Sequence, residues 1–569
     1  MIMVRLIVVV AICLSGVVTA YGETSGSSLE TTVVESPSSQ IAGNAGADLP
    51  AIPQRLLWHV GDPSYTRKLV AKRISDETNR GEQQYYQSLL KRLDLIDRPE
   101  KMALSLQEAL QRTVKNSLAI RIASYNPAIE TTRLIEAEAA FDATFFSTLT
   151  KNKQNRPVAS ALIGSSVDTF DLTSGIAKML PTGLQASTSL NLRRMYTDFQ
   201  YQDINPEYSS AFVVELRQPV LRGFGIDYNR SFIRIGKLDR QISDHSFRRQ
   251  VIRTLVDAEE AYWTLVRARR EVVISGRLLS RFERIYDYLW QRREFDAYAI
   301  QIADTKARLA QSRANFLQVL ANVRNAEDSL INLMNDREID LADEIEIIPV
   351  DFPSQSPVVI DRLSEVQIAL NHRPELTEAK LTLKKLEVAV GQAKNQALPK
   401  FDTTFRYTVD GLSESMHDAF SEVTKNDFHE YYVGLEFELP IGNRAREAVL
   451  ARARLQHAQT MATLKKALED VILDVNLQAR NLETSYKQIR PNFESVEANE
   501  AQVEAIVARA ETKSFVQLNQ ELNALQALAS SRRGLLKSLV DYNMAIVELE
   551  RAKGTLPAYN NIILETEEP

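Results

Sequence analysis

The apolar positions of this chain follow two different periods, and each period predicts one kind of element. In four long stretches, apolar or small residues recur every seven positions; these stretches begin at Val251, Ile302, Leu468 and Leu518. Such spacing is typical of helices that pack as coiled coils. The four stretches therefore predict two long helical hairpins, over about 229–335 and about 443–553.

These predicted helices are too long for a small globular fold. A helix over 229–296 would be on the order of 100 Å long, at about 1.5 Å per residue. It needs partners along its length, and small core residues such as Ala258, Ala261 and Ala268 favour close approach of neighbouring helices. Pro491 is expected to kink the second long helix.

In other stretches apolar and polar residues alternate, which predicts strands with one apolar face and one polar face. The alternation is clearest in 184–192, 212–217 and 435–439. It is the pattern of transmembrane barrel strands around a wet lumen, and an ordinary half-buried antiparallel sheet gives it too. The first strand region, about 143–220, is long enough to hold an additional hairpin or a long loop around the turn Leu180–Gly183.

The order helix, strands, long helix and return helix occurs twice, which predicts a duplicated unit. Phe141–Phe145 recurs as Phe401–Phe405, and in each copy the strands lead into a long helical stretch. The second strand region is expected over about 401–440. The predicted boundaries are 101–345 for the first repeat, 346–360 for the linker, 361–556 for the second repeat and 557–569 for a C-terminal tail.

The N-terminus predicts export. Arg5 precedes the apolar run Leu6–Leu14, and small residues before Ala20 fit a cleavage site, so 1–20 is expected to be a signal peptide. Residues 21–100 are interpreted as a flexible linker followed by an N-terminal extension.

No other stretch approaches the roughly 18 apolar residues of a spanning helix. If the exported chain enters a membrane, it must do so as a barrel. Export and the neighbouring coiled coils therefore favour the barrel interpretation of the alternating strands. Glu215, Arg217, Glu436 and Glu438 are then expected to face the barrel lumen.

Composition supports long helices and excludes several classes of protein. The 569 residues include only 20 Gly and 19 Pro, which is low for a chain made of short strands and turns. The one cysteine, Cys13, lies in the predicted signal peptide and excludes a disulfide scaffold. A net charge of −6 predicts no overall attraction to nucleic acid.

Candidate chemistry is sparse, and we expect neither an enzyme nor a bound cofactor or metal. Only His417 and His429, of the six histidines, share a segment, whereas a structural metal site needs about four convergent ligands. The sequence contains no phosphate-binding glycine loop and no nucleophile or zinc-protease motif.

Several short motifs resemble those of one family, the TolC-type outer-membrane efflux and secretion channels. The resemblance covers about 101–556, and its specificity lies in the order of the motifs within two copies, with heptads between them. The matching elements are Leu106–Leu110 followed by Asn116, Gln218–Gly225, Ala258–Leu265 and Leu439–Arg444.

The resemblance implies a mainly α fold with a membrane β-barrel portion. Each protomer of a homotrimer would give four strands to a shared twelve-stranded barrel in the outer membrane of a Gram-negative-type bacterium. The helical hairpins would form a trimeric α-helical tunnel through the periplasm. A periplasmic adaptor and an inner-membrane pump would deliver substrate, which the channel would conduct passively in efflux or type I secretion.

The resemblance also implies roles for the ends of the hairpins. Ala297, Tyr298, Lys513 and Ser514 would form the periplasmic tip at which an adaptor docks, although family members commonly have Gly at this turn. Further along the last return helix, Gln520 and Asn523 would line a tunnel constriction, where some members carry acidic residues. Ordinary solvated helix surface is the alternative interpretation of these two residues.

A second class of function stays open. An exported structural coiled-coil protein of the envelope, with a small soluble sheet and no channel activity, would show the same export signal and heptads. A periplasmic adaptor would instead show one hairpin flanked by strands, not two tandem copies.

Overall fold

A computed structural model describes residues 100–159, 164–295, 298–336, 339, 345–508 and 515–562. The predicted signal peptide, linker and most of the N-terminal extension lie outside these residues. The first repeat contains, in chain order, β1 (Glu100–Leu104), α1 (Leu106–Asn116), α2 (Leu118–Ala139), β2 (Thr144–Asn155), β3 (Ser166–Met179), β4 (Gln185–Thr197), β5 (Glu207–Pro219), α3 (Ile226–Asn229), α4 (Ser231–Gln291) and α5 (Ala299–Met334).

The second repeat has a similar order of elements with fewer strands. After β6 (Ile345–Pro349), which lies between the repeats, it contains α6 (Arg362–His372), α7 (Pro374–Gln396), β7 (Lys400–Ser413), α8 (Met416–Lys425), β8 (Phe428–Glu438), α9 (Arg444–Ala508), α10 (Phe515–Lys553) and α11 (Leu556–Tyr559). The fold is thus mainly helical with an antiparallel sheet, as the sequence predicted.

Two helical hairpins dominate the molecule. α4 has 61 residues and packs along α5, whereas α9 has 65 residues and packs along α10. At about 1.5 Å per residue, α4 and α9 are each on the order of 90–100 Å long. α10 also contacts α4, so the two repeats pack against each other through their helices. Pro491 lies inside α9, which continues through it without a break.

The cores of the hairpins are the predicted heptad positions, and that prediction is confirmed. In α4, two series with seven-residue spacing interleave, one starting at Val251 and the other at Thr254. Both are buried as far as Leu289, apart from the half-buried Tyr286. In α9, Val475, Leu482 and Ile489 are buried at intervals of seven residues. The apolar stripe therefore faces a helical neighbour along most of each hairpin.

A small parallel sheet ties the start of the first repeat to the segment between the repeats. β1 pairs with β6, from Glu100 opposite Ile345 to Leu104 opposite Pro349. The Tyr262 hydroxyl of α4 lies 3.1 Å from the Leu104 carbonyl oxygen and 2.8 Å from Asp351 Oδ2. The predicted linker 346–360 thus begins as an ordered strand anchored on a long helix.

The remaining strands form one antiparallel sheet in the order β2-β3-β4-β5-β7-β8. The resemblance implied four strands per protomer, and the structure has six. The additional hairpin is β3–β4, which turns at Leu180–Gly183. Gly183 has φ +94°, a backbone conformation that residues other than glycine rarely adopt. The open question about 143–220 is therefore answered by a hairpin and not by one long loop.

Candidate functional site

The register of the six-stranded sheet gives it one polar face. Paired residues share a face, and so do residues two apart along a strand. Glu215, Arg217, Glu436 and Glu438, which were predicted from alternation alone, all lie on this face. They lie toward the helical end of the sheet, which we define as the end where β2, β5, β7 and β8 join helices.

An ion-pair network crosses β5, β7 and β8 at the helical end of the polar face. Arg217 Nη2 lies 2.9 Å from Asp402 Oδ2 and 3.2 Å from Glu436 Oε2. Lys400 forms a further ion pair with Glu436. Asp402 is buried, and both Arg217 and Lys400 lie within ion-pair distance of its carboxyl group, which offsets the cost of burying it. The polar face is thus held by linked charges and not by isolated ones.

The other two predicted residues of the polar face also have partners. Glu215 Oε2 lies 2.8 Å from Arg406 Nη2, across the β5–β7 pairing. Glu438 Oε1 lies 3.5 Å from Arg446 Nη2 of α9, and 3.8 Å from Arg222 Nη1. Glu438 therefore links the end of the sheet to the start of the second long helix.

The opposite face of the sheet is apolar and largely uncovered. Tyr431 of β8 is 73% exposed and Phe145 of β2 is 70% exposed. Contiguous apolar surface of this kind marks a site for lipid or protein contact. The large exposed side chains on this face are Phe145, Leu149, Phe170, Ile176, Tyr196, Phe405, Tyr431, Val433, Leu435 and Phe437.

A short helix covers part of the apolar face at the loop end, the end opposite the helical one. Ser415 caps α8, since its hydroxyl accepts a hydrogen bond from the Asp418 N–H. The Ser210 hydroxyl of β5 donates to the Ala419 carbonyl at 2.6 Å. A Cβ at Gly411 would clash with that same carbonyl oxygen, so glycine lets α8 approach β7 closely. The sequence analysis did not predict this helix.

The turn between α4 and α5 exposes several large apolar side chains. Of the four predicted tip residues, Tyr298 is exposed and precedes α5, where its N–H donates to Gln301 Oε1 at 3.2 Å. Ala297, Lys513 and Ser514 lie outside the described residues. Phe295 is 85% exposed and Ile300 is 70% exposed, and neither was singled out from the sequence. The sequence feature that could have identified them is the presence of apolar residues at a predicted turn, outside the heptad series.

The two predicted constriction residues lie on the surface of α10. Gln520 and Asn523 are both exposed. Asn523 Oδ1 accepts a hydrogen bond from Arg308 Nη1 of α5 at 3.0 Å, and the same nitrogen donates to Gln526 Oε1 at 3.0 Å. This arginine therefore joins the return helices of the two repeats near the tip.

One buried carboxyl group in the helical region has a strongly shifted pKa. Glu259 of α4 is buried, and its Oε1 accepts a hydrogen bond from Asn560 Nδ2 at 2.7 Å. Burial raises the pKa of Glu259 to about 7, although the hydrogen bond from Asn560 opposes this change. Glu259 thus joins α4 to the segment that follows α11.

The described residues contain neither a membrane-spanning helix nor a cluster of metal-ligating side chains. No helix among them is both long enough and apolar enough to cross a membrane. Likewise, no three His, Cys, Asp or Glu side chains in the described parts of the chain are grouped so that they could hold a metal ion.

Comparison with known families identifies the second repeat. Residues 366–555 match the family model described as outer membrane efflux protein. This match covers α7, the strands β7 and β8, and the second helical hairpin. No curated protein matches the chain in sequence.

Solved structures of similar fold extend this result to most of the chain. VceC from Vibrio cholerae aligns with TM-score 0.59 and 15% identity, over 79% of this chain and 96% of that one. The CmeC channel of Campylobacter jejuni gives 0.58 and 14%, over 79% and 86%. The MtrE channel of Neisseria gonorrhoeae, solved in its open state, gives 0.56 and 15%, over 79% and 89%.

These matches agree with the resemblance that the motifs indicated. At such low identity the structures establish the fold, and the family model supplies the relationship in sequence. The matching family is that of outer membrane efflux proteins, VceC is an outer-membrane protein, and CmeC and MtrE are outer-membrane channels, so the predicted recognition and outer-membrane assignment are confirmed. The chain carries an outer membrane efflux protein domain at residues 366–555 and has the fold of the TolC-type channels.

Proposed function

We propose that this protein is the outer-membrane channel of a tripartite efflux or type I secretion system. The observation that carries the proposal is one sheet with an exposed apolar face and an ion-paired polar face, joined directly to two helical hairpins on the order of 90–100 Å long. The apolar face would contact lipid, the polar face would line the lumen, and the hairpins would continue the passage into the periplasm.

In this proposal the channel is a homotrimer and conducts passively. Six strands cannot close a barrel, because about eight strands already leave an interior only just wide enough for side chains. Several copies must therefore share one barrel, and the trimer comes from the TolC-type resemblance. Energy for transport would come from an inner-membrane pump.

The tip of the hairpins would receive a periplasmic adaptor. Supporting this role, Tyr298, Phe295 and Ile300 form an exposed apolar group at the turn between α4 and α5. Exposed apolar side chains at the end of a helical hairpin are suited to contact with a protein partner. Ala297, Lys513 and Ser514 would belong to the same docking surface, and Gln520 and Asn523 would line the constriction above it.

Cell fractionation and bilayer recording test this function together. The expected result is a heat-resistant trimer in the outer-membrane fraction that conducts ions in planar bilayers. A soluble monomer without conductance would contradict the proposal and favour an exported structural protein of the envelope.

A further inference from the structure

The two outer strands of the sheet have long free edges. Among the described strands, β2 pairs only with β3, and β8 pairs only with β7. β2 has 12 residues and β8 has 11, and both carry exposed apolar side chains on the same face of the sheet. Edges of this length are templates for pairing with another chain, and natural proteins cover or close them.

The directions of these strands allow closure between identical copies. All five pairings in the sheet are antiparallel, so the first and the last of six strands run in opposite directions. β8 of one copy can therefore pair antiparallel with β2 of the next and continue the alternation. Phe145 and Leu149 of β2 would then extend the apolar face that ends at Tyr431 and Val433 of β8.

The additional hairpin β3–β4 is an integral part of this wall. β3 pairs with β2 from Ser166 to Ala177, and β4 pairs with β5 from Gln185 to Met195. Gly175 lies under the Phe146 ring, where a Cβ would be only 2.6 Å from that ring, which ties β3 to β2. A hairpin bonded on both sides is not an appendage.

The hairpin also has the same two faces as the rest of the sheet. On the polar side, Asp171 Oδ1 lies 3.3 Å from Arg193 Nε across the β3–β4 pairing. On the apolar side, Leu172 lies opposite Leu192, and Ile176 is partly exposed. Removing β3 and β4 from the barrel would place this apolar side in water.

We propose that β8 of each copy pairs with β2 of the next, so that three copies of six strands close an eighteen-stranded barrel. This inference rests on the proposed trimeric channel and changes its dimensions. Barrel diameter grows roughly linearly with strand number, and barrels of about 16–18 strands enclose an aqueous channel. The outer-membrane passage would be wider than a twelve-stranded one, and selection by size would fall to the helical tunnel.

Cysteine cross-linking tests the pairing. Because Cys13 is the only cysteine of the chain, a Cys13→Ser background leaves introduced pairs as the only thiols. Leu149→Cys on β2 would be combined in turn with Tyr431→Cys, Val433→Cys and Leu435→Cys on β8, all on the apolar face. At least one combination is expected to link the copies into covalent trimers on oxidation.

Matched controls use the strand that would form the edge of a smaller barrel. If β2 and β3 lay outside a twelve-stranded barrel, β4 would meet β8 of the next copy. Leu190→Cys on β4, with the same three β8 variants, is therefore expected to give no link between copies. Links from β4 together with none from β2 would overturn the proposal.

A strand count by electron cryomicroscopy of the detergent-solubilised oligomer decides the case if no pair is linked. It also separates eighteen strands from a twelve-stranded barrel without β3 and β4, in which β2 would still meet β8. Eighteen strands would support the proposal, and twelve would overturn it. Conductance recorded on the same preparation tests the channel function separately from the size of the barrel. An oligomer that conducts with twelve strands contradicts only the barrel size, whereas one that does not conduct contradicts the channel function.

Discussion

At the scale of single residues, the buried Glu259 makes stability depend on pH. Its pKa is raised to about 7 in the folded protein, from an ordinary value of 4.5. The protonated carboxyl is tolerated by its buried environment, so its contribution to stability is complete below about pH 4.5. That contribution is lost as the pH rises through about 7, because the group must then ionise in a buried site.

Glu259→Gln should remove this pH dependence. The wild-type protein is expected to lose up to about 3 kcal/mol between pH 4.5 and pH 8 through this group, since one pKa unit corresponds to about 1.4 kcal/mol. The variant should therefore be the more stable protein at pH 8, as measured by thermal unfolding followed by circular dichroism. Glu260→Gln, at the exposed neighbouring position, is the control and should change little.

Gly411 provides a second prediction at this scale. Gly411→Ala would drive a Cβ into the Ala419 carbonyl and force α8 away from the sheet. We expect the free energy of unfolding to fall by about 1–3 kcal/mol, which is typical of overpacking. Electrophoresis of samples heated to a series of temperatures would show the oligomer dissociating at a lower temperature. Gly434→Ala is the matched control, because its Cβ would meet the hydroxyl and ring of the Tyr432 side chain and no backbone atom. Equal effects of the two substitutions would contradict this view of α8.

These residue-scale features could not be predicted from the sequence. Glu259 and Asn560 are 301 positions apart, and no local pattern brings them together. Gly411 looks like any glycine in a strand until the position of α8 is known. By contrast, the face on which a strand residue lies depends only on the two-residue period of a strand. The alternation of β5 and β8 was therefore enough to assign the polar face to Glu215, Arg217, Glu436 and Glu438.

At the scale of elements, a buried ion cluster joins α4, α5 and β6. Arg269 Nη2 lies 2.6 Å from Glu346 Oε1, and Arg269 Nη1 lies 3.4 Å from Glu327 Oε1. Both glutamates are buried, and Arg269 contacts the carboxyl groups of both. Arg269 Nη1 also donates to the Ile347 carbonyl at 2.9 Å, which fixes the start of the segment between the repeats.

Arg269→Met should destabilise the protein by about 3 kcal/mol or more, because it removes the cation that lies 2.6 Å from the buried Glu346 carboxyl group. Differential scanning calorimetry would show this as a lower unfolding temperature. Arg281→Met, at an exposed position of the same helix, should have little effect. Similar unfolding temperatures for the two variants would show that the cluster does not support β6.

The helical turn at the tip gives a prediction about partners. Phe295→Ser combined with Ile300→Ser should reduce co-purification of the adaptor and pump with the tagged channel at least tenfold. The unfolding temperature should stay unchanged, because both side chains are exposed. Leu317→Ser, at an exposed apolar position further along α5, is the control. Undiminished co-purification would place the docking surface elsewhere.

Long periodic elements were predictable from the sequence, and the number of strands was not. The heptads of α4 persist for most of 61 residues, so errors at single positions do not obscure them. β3 is short by comparison, and its Ser, Thr and Gly residues blur its alternation. The alternation of 184–192 in β4 was visible in the sequence, but it does not show which strands β4 pairs with. Whether their segment forms a hairpin or a loop depends on pairing with β2 and β5, which is a property of the folded sheet.

At the scale of the whole molecule, the duplication combines two kinds of structure in one chain. Each repeat supplies strands to the sheet and a long hairpin to the helical region. The repeats are unequal, since the first gives four strands to the sheet and the second gives two. The uncovered apolar face, the free edges of β2 and β8 and the exposed tip are all surfaces that an assembled channel would bury.

Recording in planar bilayers tests the central claim most directly. Oligomer purified from the outer-membrane fraction should give stepwise ion conductance. Arg308 of α5 donates hydrogen bonds to Asn523 and Gln526 of α10, next to the proposed constriction. Arg308→Ala removes these bonds, so the two helices can separate there and the conductance should rise. Gln311→Ala, elsewhere on α5, should leave conductance unchanged. A correctly folded, heat-resistant trimer that inserts into the bilayer and carries no current would contradict the account.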